Sequence, residues 1–182
     1  RFGEKENKNQ FTYAHNQSDG YRIQTKMRRD NFSWQSLLKL SDKQQLSASL
    51  LYNDMYYQTP GALTLAEFTA NPKAARPAGG GFPSAVNAQA AIFQKTLTAG
   101  FTNMYTINSR FKNTTTLYGA FAQIKNSAIR NYERRNEPSF GGRTFFAYNK
   151  KTNDKSSLQL IAGSEFQQGY FNTQVSKNKN GN

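Results

Sequence analysis

The chain has 182 residues, 24 Lys and Arg against 11 Asp and Glu, a net charge of +13, no cysteine and one histidine. Disulfides and thiolate metal centres are thereby excluded, and a Ser-His-Asp triad or a histidine metal site would have to rest on His15 alone. Mean hydropathy is −0.81 although 14% of the residues are aromatic; disordered chains lack that mixture. It suits a sheet with one apolar face, one wet face and aromatic belts, and some soluble all-β binding domains share it.

Arg1-Phe2-Gly3-Glu4-Lys5 has no apolar core of a signal peptide. An exported protein with this start has lost its signal to processing or is cut from a longer chain. No apolar run approaches the roughly 20 residues that a membrane helix needs. Alternation at period two dominates instead. A weak strand is expected over Gln10–Asn16. Phe32, Trp34, Leu38 and Leu40 then alternate with Ser33, Gln35 and Lys39, and Leu40–Gln44 reads as a tight turn. Over Gln45–Tyr52, Leu46, Ala48, Leu50 and Tyr52 share one face, and Gln45, Ser47 and Ser49 the other, with Leu51 as the exception.

Gln58–Ala90 is a long loop rich in Pro, Gly and Ala, in which Thr64, with Glu67 three residues on, can cap a short helix over Leu63–Ala70. Phe93–Ile107 alternates again: Phe93, Leu97, Ala99, Phe101, Tyr105 and Ile107 share a face that Lys95 and Asn103 interrupt. A short turn at Asn108–Asn113 leads to a strand over Thr114–Asn126 with two competing phases, Leu117, Gly119 and Phe121 against Tyr118, Ala120 and Ile124. A medium loop (Ser127–Gly142), a strand (Arg143–Lys150), a turn (Lys151–Lys155) and a strand (Leu158–Phe166) follow, and Ser176–Asn182 reads as the start of another loop.

Several of these strands exceed ten residues, where soluble strands average five or six and a tilted membrane strand needs about 9–11. Connections alternate between short and long, and the polar face is Ser, Thr, Gln and Gly. The expected fold is all-β: an antiparallel up-and-down transmembrane β-barrel segment, about seven strands of a larger barrel, with long extracellular loops and short periplasmic turns. An enzyme with elaborated loops on one face is the competing source of such alternation. Trp34, Tyr52, Tyr56, Tyr57, Phe145, Phe146 and Tyr148 stand at strand ends, as interface girdles do. A nucleic-acid platform would put aromatics and cations on one face, whereas these aromatics alternate with Ser, Thr and Gln. The cations are scattered over Lys26, Arg28 and Arg29, then Lys73 and Arg76, then Arg130, Arg134, Arg135 and Arg143; that favours loops and rims over a single groove. Glu133 and Glu137 flank Arg134 and Arg135 as local ion pairs would. Gly79-Gly80-Gly81 lacks the Lys-Ser/Thr of a phosphate loop. Nothing here signals an enzyme.

Ser18-Asp19-Gly20-Tyr21-Arg22, Thr59-Pro60-Gly61-Ala62-Leu63-Thr64, Asn71-Pro72-Lys73-Ala74-Ala75-Arg76-Pro77, Ile129-Arg130-Asn131-Tyr132-Glu133-Arg134-Arg135 and Gly141-Gly142-Arg143 resemble, in order and spacing, the barrel of TonB-dependent outer-membrane receptors. The nearest subgroup is the iron(III) dicitrate type, a siderophore-receptor form seen in Bacteroidetes, and the likeness covers about Gln10–Phe171. It implies a 22-stranded barrel around an N-terminal plug, located in the bacterial outer membrane, that takes up a ferric siderophore or ferric citrate with energy relayed through TonB. Residues 1–182 then form a partial barrel domain, with the plug, its TonB contact and the C-terminal barrel strands absent. The implied partners are the ferric chelate, outer-membrane lipid and lipopolysaccharide, and TonB through the missing plug; nucleic acid and a resident cofactor are not implied. Arg22, Arg76, Arg130, Arg134 and Arg135 fall on the extracellular side and can grip anionic chelates in bidentate fashion. Other outer-membrane barrels (a porin or a carbohydrate receptor) and a soluble basic β-sheet binding or adhesion module are the alternatives.

Overall fold

The computed structural model describes residues 7–153 and 156–181. Its strands are β1 (Asn7–Ser18), β2 (Met27–Ser41), β3 (Gln44–Gln58), β4 (Ala91–Thr106), β5 (Phe111–Ser127), β6 (Asn131–Asn153), β7 (Ser156–Gly169) and β8 (Asn172–Lys177), with helix α1 (Leu65–Ala70) between β3 and β4. All belong to one antiparallel sheet in which β1 to β7 are neighbours in chain order and β8 pairs with β6. The sheet does not close on itself.

Register explains why eight segments make a seven-stranded meander. Ser139 pairs with Gly169, and pairing resumes at Asn136 with Asn172, so β7 and β8 lie along β6 without a slip. The gap falls at Pro138. Tyr170 donates its N–H to the Pro138 carbonyl at 2.9 Å, but proline has no N–H to return, and the ladder loses one rung.

Side chains alternate between the two faces of a strand, so unbroken pairing sorts them into rows across the sheet. One row is Tyr13, Phe32, Tyr52, Leu97, Phe121 and Pro138; the next is Phe11, Trp34, Leu50, Ala99, Gly119 and Phe140. A third contains Ala48, Phe101, Leu117, Gly142 and Phe166. Together they make an apolar belt that nothing covers: Leu117 is 61% exposed and Phe166 61%. Among the described residues the buried apolar side chains are Ala85, Ala88, Ala90, Ala91, Ile124 and Tyr132, none of them in these rows. The oily faces therefore do not stack into a globular core. The opposite face carries rows such as Gln10, Gln35, Ser49, Gly100, Tyr118, Gly141 and Gln167. It holds a trough of about 610 Å³ lined by Lys8, Gln10, Gln35, Ser49, Thr102 and Tyr118, among others.

The competing phases of β5 resolve with Leu117, Gly119 and Phe121 on the apolar face and Tyr118, Ala120 and Ile124 on the other. Lys95 and Asn103 do lie on the apolar face, and they bracket the belt on β4 from either end. Four of the expected girdle aromatics are corrected. Trp34 and Tyr52 stand mid-strand, inside the belt rows and not at strand ends. Tyr57 pairs with Met27 and Ile92, and Phe145 with Thr114 and Gly163, so both project from the polar face. Each sits beside another aromatic in sequence (Tyr56, Phe146), and period-two alternation cannot put both neighbours on one side.

The connections at one end are short, and the two long ones lie at the other. Asp42-Lys43 joins β2 to β3, and 107–110 joins β4 to β5, where the Asn108 side chain accepts from the N–H groups of Arg110 (2.9 Å) and Phe111 (3.0 Å) in an Asx turn. The turn expected at Lys151–Lys155 falls partly outside the described residues. At the far end lie 19–26, the long 59–90 and 128–130. The last corrects the medium loop expected over Ser127–Gly142, which is mostly strand: β6 runs for 23 residues. Its charges, proline and paired glycines look like loop chemistry, yet β5 pairs along one side of it and β7 with β8 along the other, and that satisfies its backbone.

Candidate binding face at the long-loop end

The 59–90 segment is tied down through side chains and carbonyls rather than through a core. Thr64 caps α1 with a reciprocal capping box: its hydroxyl accepts from Glu67 N–H at 3.3 Å, and the Glu67 carboxylate accepts from Thr64 N–H at 2.7 Å. The Thr64 backbone N–H, then the Thr64 side chain, hold the Glu67 carboxyl below its ordinary value of 4.5. A lowered folded-state pKa contributes stability that is present above the unfolded value and lost as pH falls through the folded one. The cap is accordingly expected to loosen in acid below about pH 4.5, read as faster hydrogen exchange at residues 64–70. Glu67→Gln keeps an acceptor at this position, and its protection, taken relative to the intrinsic exchange rate at each pH, should not change with pH; an unchanged acid transition in that variant would remove Glu67 as the cause.

Two of the five arginines expected to meet a ligand are spent on the loops. Arg22, in the β1–β2 connection, donates through Nε and Nη2 to the Ala74 carbonyl (3.0 and 2.9 Å) and through Nη2 to the Gly61 carbonyl (3.1 Å). With Ile23 N–H donating to Lys73 O at 2.8 Å, it stitches the first loop to the long one. Gly61 has φ +73°, and a Cβ there would meet Arg76 Cβ at 2.8 Å. The Arg76 guanidinium turns back onto the carbonyls of Pro83 (3.0 Å), Pro77 (3.3 Å) and Gly79 (3.4 Å). Arg22→Lys supplies a compact ammonium without the planar fork. Loss of one charge-assisted bond, about 1.5–3 kcal/mol, should speed proteolytic cleavage within 59–90 while the sheet signal in circular dichroism stays constant. A cleavage rate equal to that of the natural chain would show that this tie carries no weight.

The long loop ends against the tops of β4, β5 and β6. Ser127 Oγ donates to the Ala88 carbonyl at 3.0 Å, and the Asn178 amide donates to the carbonyls of Ala88 (2.9 Å) and Ala128 (2.6 Å). Ala91, Ser127 and Tyr132, one row of the sheet, are buried beneath this closure. Arg130 in the β5–β6 connection lies 3.9 Å over the Phe82 ring.

Arg134 and Arg135 separate onto opposite faces of β6. Arg135 is on the polar face between Glu133 (3.3 Å) and Glu137 (3.4 Å). Its buried Nε is too poorly aligned with Glu133 to form a hydrogen bond, and it is an open donor. Arg134 is exposed on the apolar-belt side, 5.3 Å from the Tyr132 ring. The five arginines thus share one end of the sheet without converging on one point.

The structure also gathers a network that the linear pattern does not disclose. Above the belt on its own face, His15, Asp30, Asp54, Lys95, Gln123 and Asn136 form one row. Asp30 takes a hydrogen bond from Tyr13 (2.8 Å), contacts His15 Nδ1 (2.6 Å) and pairs with Arg28 (2.6 Å). Arg28 reaches on to Asp54 (3.3 Å), which Lys95 approaches at 3.6 Å. The available signal was charge at positions of apolar parity. The partners come from four strands, so spacing in sequence could not join them.

No protein family matches this sequence, and no curated protein does. The chain superposes on the crystal structure of the ferric citrate transporter FecA in its unliganded form with a TM-score of 0.78, over 97% of this chain and 26% of that one, at 13% identity. The sheet has the fold of a transporter's barrel wall. At that identity the likeness is one of fold alone, and this chain spans about a quarter of the FecA chain's length. Among the described residues, no helix is long and apolar enough to cross a membrane. No group of three or more His, Asp or Glu among them is placed to hold a metal ion.

Proposed function

We propose that this chain is part of the wall and outer loops of a barrel in the bacterial outer membrane that takes up a ferric chelate, a siderophore complex or ferric citrate, in a TonB-dependent manner. One observation carries the reading: the apolar rows form a continuous uncovered belt on one face, back to back with a trough of Ser, Thr and Gln on the other. Exposed apolar surface on that scale marks an interaction with another apolar phase, and a belt of this kind on a long-stranded meander fits a bilayer. The likeness to FecA supports the barrel, and that transporter's cargo, ferric citrate, motivates the ferric citrate choice.

Within this reading the belt faces lipid, the trough faces the lumen, and the long-loop end faces outward from the cell. Arg135 is the one of the five that stands on the lumenal face of the sheet, between Glu133 and Glu137, and an anionic chelate entering the lumen would compete with those carboxylates for it. Arg22 and Arg76 hold the loops that frame the approach, and Arg130 joins them through Phe82. The energy-coupling partner, TonB, acts through a plug outside this chain.

The test is insertion followed by binding. The purified chain mixed with phosphatidylcholine vesicles should float with them and show β-sheet circular dichroism. A chain that stays monomeric and folded in detergent-free buffer would instead support a soluble binding module. Ferric citrate titrated onto the inserted full-length receptor should bind more weakly in Arg135→Gln; unchanged affinity would remove Arg135 from the ligand site.

A further inference from the structure

We infer that Lys125 and Arg134 form a seat for the phosphate of an anionic lipid headgroup on the outward face of the sheet. The inference rests on the bilayer reading of the belt and gives the lipid partner of that reading a specific site. Lys125 and Arg134 are direct cross-strand partners on β5 and β6, and both are exposed. Like charges directly opposite destabilise a sheet, so the pair invites an anion between them.

Among the described residues the chain itself supplies none. Along the adjacent row of that face stand Gln123, Asn136 and Asn172, and above the pair stand Ser127 and Tyr132. Gln174 flanks Arg134 within its own row. The nearby acids, Glu133 and Glu137, project from the other face and are engaged by Arg135. The contrast with β2 to β4 is direct: there Arg28 and Lys95 on the same face are balanced by Asp30 and Asp54. Acidic partners thus fill one half of the outward rim, and the other half is left cationic.

Depth agrees with a headgroup. Lys125 stands four residues above Phe121 of the belt, about 9 Å along the normal for a strand tilted by ~45°. That is the level of the polar layer and not of the hydrocarbon. Phe93, the cross-strand partner of Lys125 on its other side, offers apolar surface to the adjoining acyl region, and the Tyr132 ring holds the Arg134 guanidinium from above. A phosphate with an acyl chain beneath it meets both chemistries at once; a free phosphate meets one.

The full chain is first tested for vesicle flotation, then held in neutral detergent with phosphatidic acid and phosphatidylcholine, and retained lipids are counted by native mass spectrometry. Two interfacial cations should favour phosphatidic acid by about thirtyfold. Lys125→Gln with Arg134→Gln should abolish the preference, and Arg134→Glu, which pairs with Lys125 internally, should do the same while the fold is kept. Lys112→Gln, on the polar face, should leave it intact. Equal retention in the double variant, or displacement of the lipid by inorganic phosphate at comparable concentration, would overturn the lipid seat alone. Failure to float would overturn the bilayer reading and the seat with it.

Discussion

Leu97→Arg is expected to destabilise the bilayer-embedded sheet by about 2–4 kcal/mol, the depth-dependent penalty for a cation on the lipid face of a membrane strand. Leu97 lies in the belt between Tyr52 and Phe121, on an inner strand, and is 42% exposed. The next residue, Thr98, points to the other face, where it lines the trough. Thr98→Arg should change stability little, because a long cation there projects into water. The measurement is denaturant unfolding of the chain in vesicles, with both variants side by side. Equal losses would mean that neither face meets lipid. A larger loss for Thr98→Arg would reverse the sidedness.

Gly141→Val is the second large effect expected, a loss of about 1–3 kcal/mol from overpacking. Tyr118 on β5 lies across Gly141 on β6, its cross-strand partner, to donate its hydroxyl to Glu165 on β7 at 2.6 Å. A Cβ on Gly141 would stand 2.8 Å from Tyr118 Cε2 and Cζ and 2.6 Å from the Phe166 carbonyl. The ring cannot lie flat over any larger residue, so valine must lift it and break the contact with Glu165. At Gly163, opposite Phe145, the obstacle is different: a Cβ would meet the Thr144 carbonyl and the Cβ and Cα of Phe145 rather than a ring. Unfolding midpoints of Gly141→Val and of Gly141→Val with Tyr118→Ala test this together. Removing the ring should recover part of the loss. A double variant no better than the single one would place the strain on the backbone carbonyl instead.

The elements that could be read from sequence were those whose pattern serves one local demand. Leu46, Ala48, Leu50 and Tyr52 alternate with Gln45, Ser47 and Ser49, with Leu51 as the exception, because the middle of β3 has an apolar side and a polar side. Thr64 and Glu67 disclose α1 because a capping box is complete within four residues. β6 reads in part as a loop because Glu133 to Glu137 stand above the belt, where no apolar side is required, and because Pro138 and Gly142, inside the belt rows, are turn residues that the flanking strands nevertheless hold extended. Ambiguity in β5 arose from Tyr118, an aromatic on the polar face that is accommodated by a glycine on another strand.

The binding end was less legible. Arginine on a loop reads as an anion contact, yet the guanidinium of Arg22 is matched to carbonyls 39 and 52 residues away. Such a match exists only after the loops have met. Arg134 and Arg135 are adjacent in sequence and opposite in space, so one pattern cannot give them one role. The Asp30 network needed the register of four strands before its charges could be counted as neighbours.

The length of β6 has one further consequence. Its 23 residues extend about 75 Å at strand rise, well beyond what a bilayer requires, and β5 and β8 flank its upper part. The long-loop end of the sheet is therefore framed on this side by stiff palisade rather than by slack rope. Under the proposed uptake role, a solute arriving there would find its surroundings already shaped, with little ordering entropy left to lose on capture.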